Sequence, residues 1–161
     1  MRFCYMELAE SNMQQTIKIR DMAEINQYRK ELRDKIIAYA MREFYQRGVK
    51  AVKMDEISRG LRVSKRTVYE IFGDKEELLL AGMKIERAEY KARVEDYALA
   101  HARNVMDVIG YIYRLQMERN QQVGVVFYEE IHRMPRILEF LKEEHDKEYD
   151  DSMRFFQAGV D

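Results

Sequence analysis

Three observations predict an all-α fold. The 161-residue chain has one proline and seven glycines, too few for the frequent turns of a β-protein. Long stretches are dominated by Ala, Leu, Glu, Lys, Arg, Met and Gln, which lose least on entering a helix. Apolar residues recur every three or four positions instead of alternating. Hydrophobic residues make up 47% and charged residues 35% of the chain, so a packed core is within reach and the composition argues against disorder. No segment approaches the roughly 20 apolar residues of a membrane span, and the start of the chain lacks a secretory-signal pattern. The single cysteine, Cys4, leaves no internal disulfide. Together these points predict a cytoplasmic protein with no membrane partner.

Residues 1–26 have weak periodicity and read as an extension, poorly ordered or partly helical. A clear helix is predicted from Gln27 to Arg47, because Leu32, Ile36, Ala40 and Phe44 form one stripe with Ile37 and Met41 beside it. Gly48 suits the left-handed residue that ends helices. A short second helix is expected from Met54 to Gly60, with Asp55 and Glu56 in the turn where the helix dipole favours anions. A third begins after Ser64, whose hydroxyl caps its first amides, and turns Val68 and Phe72 inward. Gly73 and Asp74 break it, and Asp74 caps a long helix through "KEELLLAGMKIERAEYKARVEDYALA". Three more helices follow: one carrying Val105, Ile109, Ile112 and Leu115, one over "VGVVFYEEIHRM", and one starting at Pro135, where a missing N–H costs nothing. The short gap between the second and third helices is that of a helix-turn-helix. The predicted organisation is an extension at 1–26, a three-helix helix-turn-helix domain at 27–74 and a helical regulatory domain at 75–161.

The net charge of −1 conceals segregation. Residues 47–66 carry seven cations (Arg47, Lys50, Lys53, Arg59, Arg62, Lys65 and Arg66) against Asp55 and Glu56, whereas from residue 81 onward twelve Lys and Arg face sixteen Asp and Glu. Such a basic patch draws polyanions even when the whole chain is nearly neutral. On the third helix, Val68 and Phe72 fix the buried side, which leaves Lys65, Arg66, Thr67 and Tyr69 on the other. A leading helical turn in a DNA major groove offers its residues to base edges. Lys and Arg donate there to guanine, and Thr offers a hydroxyl and a methyl. Tyr69, Lys75 and Lys53 are expected on phosphates. Any surface helix carries some charges, but the Ser64 cap and the tight preceding turn favour the nucleic-acid reading.

The stretch from Leu32 to about Leu80 resembles the DNA-binding domain of the TetR/AcrR family of one-component transcriptional regulators. The resemblance lies in "IIAYAMREFYQRGVKAVKMDEIS", with Gly48 and Ile57, and in "VSKRTVYEIFGDKEEL", with Val63, Ser64, Thr67, Tyr69, Phe72, Lys75 and Leu78 at motif positions. It implies a recognition helix at about Ser64–Ile71, phosphate contacts from Tyr69 and Lys75, and a following helical effector-binding and dimerisation domain. The sequence departs from the pattern at three places. Lys53-Met54 stands where Thr is frequent, removing a hydroxyl cap. Leu61-Arg62 replaces Ala-Gly in the turn, and Arg66 replaces a small residue, which points to altered operator preference. The family's last two long helices pair across a two-fold axis, and "FFQAGVD" falls before them, which reads as a short or truncated carboxy-terminal part.

Aromatic and Met side chains are dense in the back half. Met106, Tyr113, Met117, Phe127 and Tyr128 are the candidate lining of a pocket for a small apolar or aromatic effector. His101, His132 and His145 are too scattered for a metal site, and "EEIHR" lacks the second His of a zinc-hydrolase motif. No catalytic constellation or cofactor-binding loop is read. The expectation is a ligand-responsive repressor, homodimeric on a near-palindromic double-stranded DNA operator. The alternatives are an architectural or partner-recruiting DNA-binding protein without an effector, and an interaction module that meets an acidic protein.

Overall fold

The computed structural model describes the backbone of residues 2–158 and the side chains of residues 20 and 22–151. Cys4, Phe155 and Phe156 therefore have side chains outside the described residues. The described backbone forms seven helices: α1 Arg2–Arg47, α2 Met54–Gly60, α3 Lys65–Ile71, α4 Lys75–Ala100, α5 Val105–Gln122, α6 Val125–Ile131 and α7 Pro135–Ala158. The chain divides into two units, residues 1–36 and 37–161.

In the first unit α1 begins at Arg2, where the sequence reading placed its start at Gln27. Residues 2–26 hold no glycine or proline and many strong helix formers, so nothing in them stops a helix. Weak apolar periodicity is therefore no evidence against a helix here. Met22, Ile25 and Tyr28 are exposed, and Gln27 Nε2 donates to Glu31 Oε1 at 2.8 Å, one turn away.

In the second unit helices α2 to α7 stand where expected, with α6 (Val125–Ile131) shorter than the predicted "VGVVFYEEIHRM". Ile37, Ala40, Met41 and Phe44 of the anticipated α1 stripe are buried. Gly48 has φ +81° and ends the helix, with its N–H donating to Phe44 O at 2.9 Å. Val49, Val52, Met54, Ile57, Val68, Phe72, Leu78, Leu79 and Met83 complete the core around the helix-turn-helix. Gly82 permits the close approach of α4 to Met41 on α1, since a Cβ there would collide with the Met41 side chain. Asp74 accepts from Glu77 N at 2.7 Å and Asn104 from Asp107 N at 3.2 Å, so α4 and α5 are both capped by side chains.

α4 continues into the body, where Leu115, Val123, Phe127, Ile131 and Ile137 are buried. Arg93 reaches Glu118 on α5 at 3.7 Å. Arg87 pairs with Glu144 and Glu148 on α7, and Lys91 with Asp151 at 3.0 Å. Among the described residues no helix is long and apolar enough to cross a membrane.

Candidate DNA-binding interface

α3 is seven residues long, and Val68 is its buried residue. The Ser64 hydroxyl accepts from Thr67 N at 3.0 Å and lies 2.7 Å from Thr67 Oγ1, so the expected cap is formed and both hydroxyls also bond one another. Lys65, Arg66, Tyr69 and Glu70 emerge on the exposed side, with Tyr69 42% exposed. Each cation has a partner. Lys65 Nζ sits 2.9 Å from Asp55 Oδ1 on α2 and 5.8 Å from the centre of the Tyr69 ring. Arg66 Nε lies 2.6 Å from Glu70 Oε1, one turn along α3. The hydrogen bond to Asp55 raises the pKa of Lys65, and that to Glu70 raises the pKa of Arg66. Both stay charged, and in water such exposed pairs hold weakly. A phosphate or a guanine edge replaces an equivalent partner at little cost.

α2 supports this surface from behind. Its N-cap, Lys53, makes no side-chain cap hydrogen bond and is exposed, as expected from the missing hydroxyl. The α2–α3 turn closes through Leu61 N to Ile57 O at 3.1 Å, Arg62 N to Arg59 O at 3.1 Å and Val63 N to Ser58 O at 3.0 Å. This path requires φ +56° at Arg62, the left-handed region that favours glycine. The Leu61-Arg62 departure noted in the sequence thus places an exposed cation of the basic patch at this left-handed position.

Lys75 was expected to clamp a phosphate from the start of α4. Its Nζ instead donates to Val49 O at 2.6 Å and Val52 O at 2.9 Å, with Lys50 O at 3.4 Å. Burial lowers its pKa, partly offset by Glu130 and Glu56. The ammonium satisfies carbonyls of the α1–α2 turn that have no helical partner, and so it braces that turn. Nearby, Arg47 joins the end of α1 to α2 through Glu56 at 2.9 Å.

The residues of the predicted effector lining are spread over exposed and buried positions. Met106, Tyr113 and Met117 are 70%, 65% and 44% exposed, whereas Phe127 is fully buried in the body core. Tyr128 is half-buried and donates its hydroxyl to Asn120 Oδ1 at 3.2 Å. These five do not enclose one cavity, because α5 turns its Leu115 side inward and its Met and Tyr side outward. An open groove of about 350 Å³ lies between α4 and α7, where Ala88 and Phe140 are flanked by Lys84, Arg87, Lys91, Lys147, Glu143 and Glu144.

Residues 36–81 match the family model for bacterial regulatory proteins of the tetR family. No curated protein matches the sequence. Among solved structures, a protein from Saccharomonospora viridis, described as a transcriptional regulator in complex with choline, aligns with TM-score 0.65 and 20% identity. The alignment covers 76% of this chain and 66% of that one, and at this identity it shows the fold. The capped α3 and its exposed cations lie inside the matched segment, so residues 36–81 carry this chain's similarity to bacterial regulatory proteins of the tetR family.

Proposed function

We propose that the chain is a ligand-responsive transcriptional repressor, acting in the cytoplasm as a homodimer on a near-palindromic double-stranded operator. The observation that carries this reading is the outer face of α3, where Lys65, Arg66, Thr67 and Tyr69 stand together on a helix fixed by Val68 and the Ser64 cap. In a major groove, Arg66 and Lys65 read guanine edges while Tyr69 and Lys53 meet phosphates. Two copies would set two α3 helices in successive grooves, about 34–36 Å apart. Association of two copies is supported by the side of α5 opposite Leu115, where Met106, Ile109, Tyr113 and Met117 leave apolar surface in water.

Ligand response is supported by α4, one continuous helix that starts beside the reader and lines the α4–α7 groove with Lys84, Arg87 and Ala88. The matched Saccharomonospora viridis structure holds choline. Phe140 and Ala88 supply an apolar floor, which suits a small ligand with an apolar or aromatic body, while Lys84, Arg87, Lys91 and Lys147 outnumber Glu143 and Glu144 around it. To act, such a ligand must bind one setting of α4 better than the other.

The exposure of Met106, Tyr113 and Met117 favours a second reading, a DNA-binding architectural or recruiting factor without an effector. Selection from a randomised duplex library at about 0.15 M salt tests the first. An enriched inverted repeat supports a dimeric reader, an enriched half-site a monomeric one, and salt-sensitive retention without enrichment refutes sequence-specific reading. Release of the selected duplex by choline or related ammonium compounds then separates the switched from the unswitched protein.

A further inference from the structure

The turn between α1 and α2, residues 48–53, sets where α2 and α3 begin, and side chains far along the chain hold it. Lys75 takes the carbonyls of Val49 and Val52. Glu130, on α6, accepts the Lys50 N–H through Oε2 at 2.8 Å, across 80 residues of sequence. The fit is close, since a Cβ at Gly48 would lie 2.8 Å from Val126 Cγ1 and 3.0 Å from Glu130 Oε2. The corner before α6 is seated on the end of α1 in the same way. Gly124 N donates to Tyr45 O at 2.9 Å, and the Phe127 ring meets the Tyr45 ring edge-on at 4.8 Å. One short helix of the body thus grips both the end of α1 and the turn that leads into the reader.

We propose that Glu130 is a positioning residue for DNA binding. Through the Lys50 amide, and opposite Lys75, its carboxylate holds the α1–α2 turn so that α2 and α3 present their outer face at a fixed angle. The inference rests on the DNA-binding reading and adds to it the point where α6 enters. Water can take the place of the carboxylate at the exposed Lys50 amide, so the bond matters little to overall stability; what it fixes is the location of the turn. Being anionic, Glu130 disfavours DNA through space. Loss of its charge and loss of its reach therefore act in opposite directions.

Two variants exploit this opposition. E130Q keeps an oxygen at the same reach and removes the charge. E130D keeps the charge and withdraws the oxygens by one methylene. Affinity for the duplex selected by the wild-type chain is the readout, with exchange of the Lys50 amide proton measured by NMR. The expected result is binding by E130Q within about threefold of wild type or tighter, binding by E130D weaker by about fivefold or more, and faster Lys50 exchange in E130D alone. A merely structural role would lower the melting temperatures without this order of affinities. Equal affinity of E130D and wild type overturns the inference and leaves the DNA reading standing. Failure of the wild-type chain to select any duplex refutes both.

Discussion

Replacing Arg62 with glycine should stabilise the protein. Arg62 holds φ +56° in the α2–α3 turn. The left-handed region costs an ordinary L-residue about 1–2 kcal/mol, because Cβ crowds the following carbonyl. Glycine escapes this cost but carries more freedom in the unfolded chain, which takes back about 0.5–1 kcal/mol. The net expectation for R62G is a gain of about 0.5–1 kcal/mol, or roughly 1–4 °C in Tm for a chain of this size. Little else changes, since the Arg62 N–H keeps its bond to Arg59 O and the side chain makes no ion pair among the described residues. Urea denaturation at constant slope measures the gain. R62A is the control: it removes the same side chain but keeps the Cβ, and should show no gain. If R62G were no more stable than R62A, the left-handed strain would not exist and the account of this turn would fail.

Three further outcomes are expected. Arg66→Ala frees Glu70 and removes a base-reading donor, so discrimination between the selected operator and its variants at one guanine should fall about tenfold; unchanged discrimination in a competition assay would remove Arg66 from the reading. Lys75→Met strips the ammonium from Val49 O and Val52 O and should cost about 1 kcal/mol in urea denaturation, after allowance for partial exposure. The salt dependence of its DNA binding should match wild type, and a slope smaller by about one would restore the phosphate role. Glu86 is partly buried beneath Tyr45, whose hydroxyl donates to it, with Arg119 at 3.7 Å. Burial raises its pKa above the ordinary 4.5, against the opposing pulls of Tyr45 and Arg119. A raised folded value means that the folded state binds more protons in this window, so stability from Glu86 is full below the ordinary value and is lost as pH rises through the folded one. Stability of E86Q relative to wild type should therefore rise with pH across that window, and a flat difference in pH-stepped denaturation would rule the effect out.

What was legible in the sequence is what local rules govern. The caps at Ser64 and Asp74, the left-handed Gly48, the stripe on α1 and the proline start of α7 depend on residues within a turn of one another, and they appear where spacing puts them. The start of α1 is misplaced for a local reason as well, since weak apolar periodicity reads as the sign of a missing helix while nothing in residues 2–26 breaks one. Side chains whose role depends on a distant partner were illegible. Glu130 stands in an ordinary acidic run, and nothing near it marks the Lys50 amide it bonds. Met106, Tyr113 and Met117 were grouped by composition, but α5 has two apolar sides and only packing determines which one turns inward.

Lys75 and Arg66 show how far a charge pattern reaches. Both stand in or beside the basic patch, and both are cations on or just after the reader helix. Arg66 holds a carboxylate on its own helix with its side chain 87% exposed, so exchanging that partner for DNA requires no rearrangement of the backbone. Lys75 is held by the carbonyls of Val49 and Val52, whose only alternative in that turn is water. Drawing its ammonium toward a phosphate would release the turn that positions α2 and α3, so any direct gain would be offset by loss of the arrangement that makes reading sequence-specific. A basic patch therefore identifies a surface for polyanions. Which of its cations are free to meet DNA depends on what each would have to let go: Lys65 and Arg66 hold exposed carboxylates, whereas Lys75 is held by the carbonyls of Val49 and Val52.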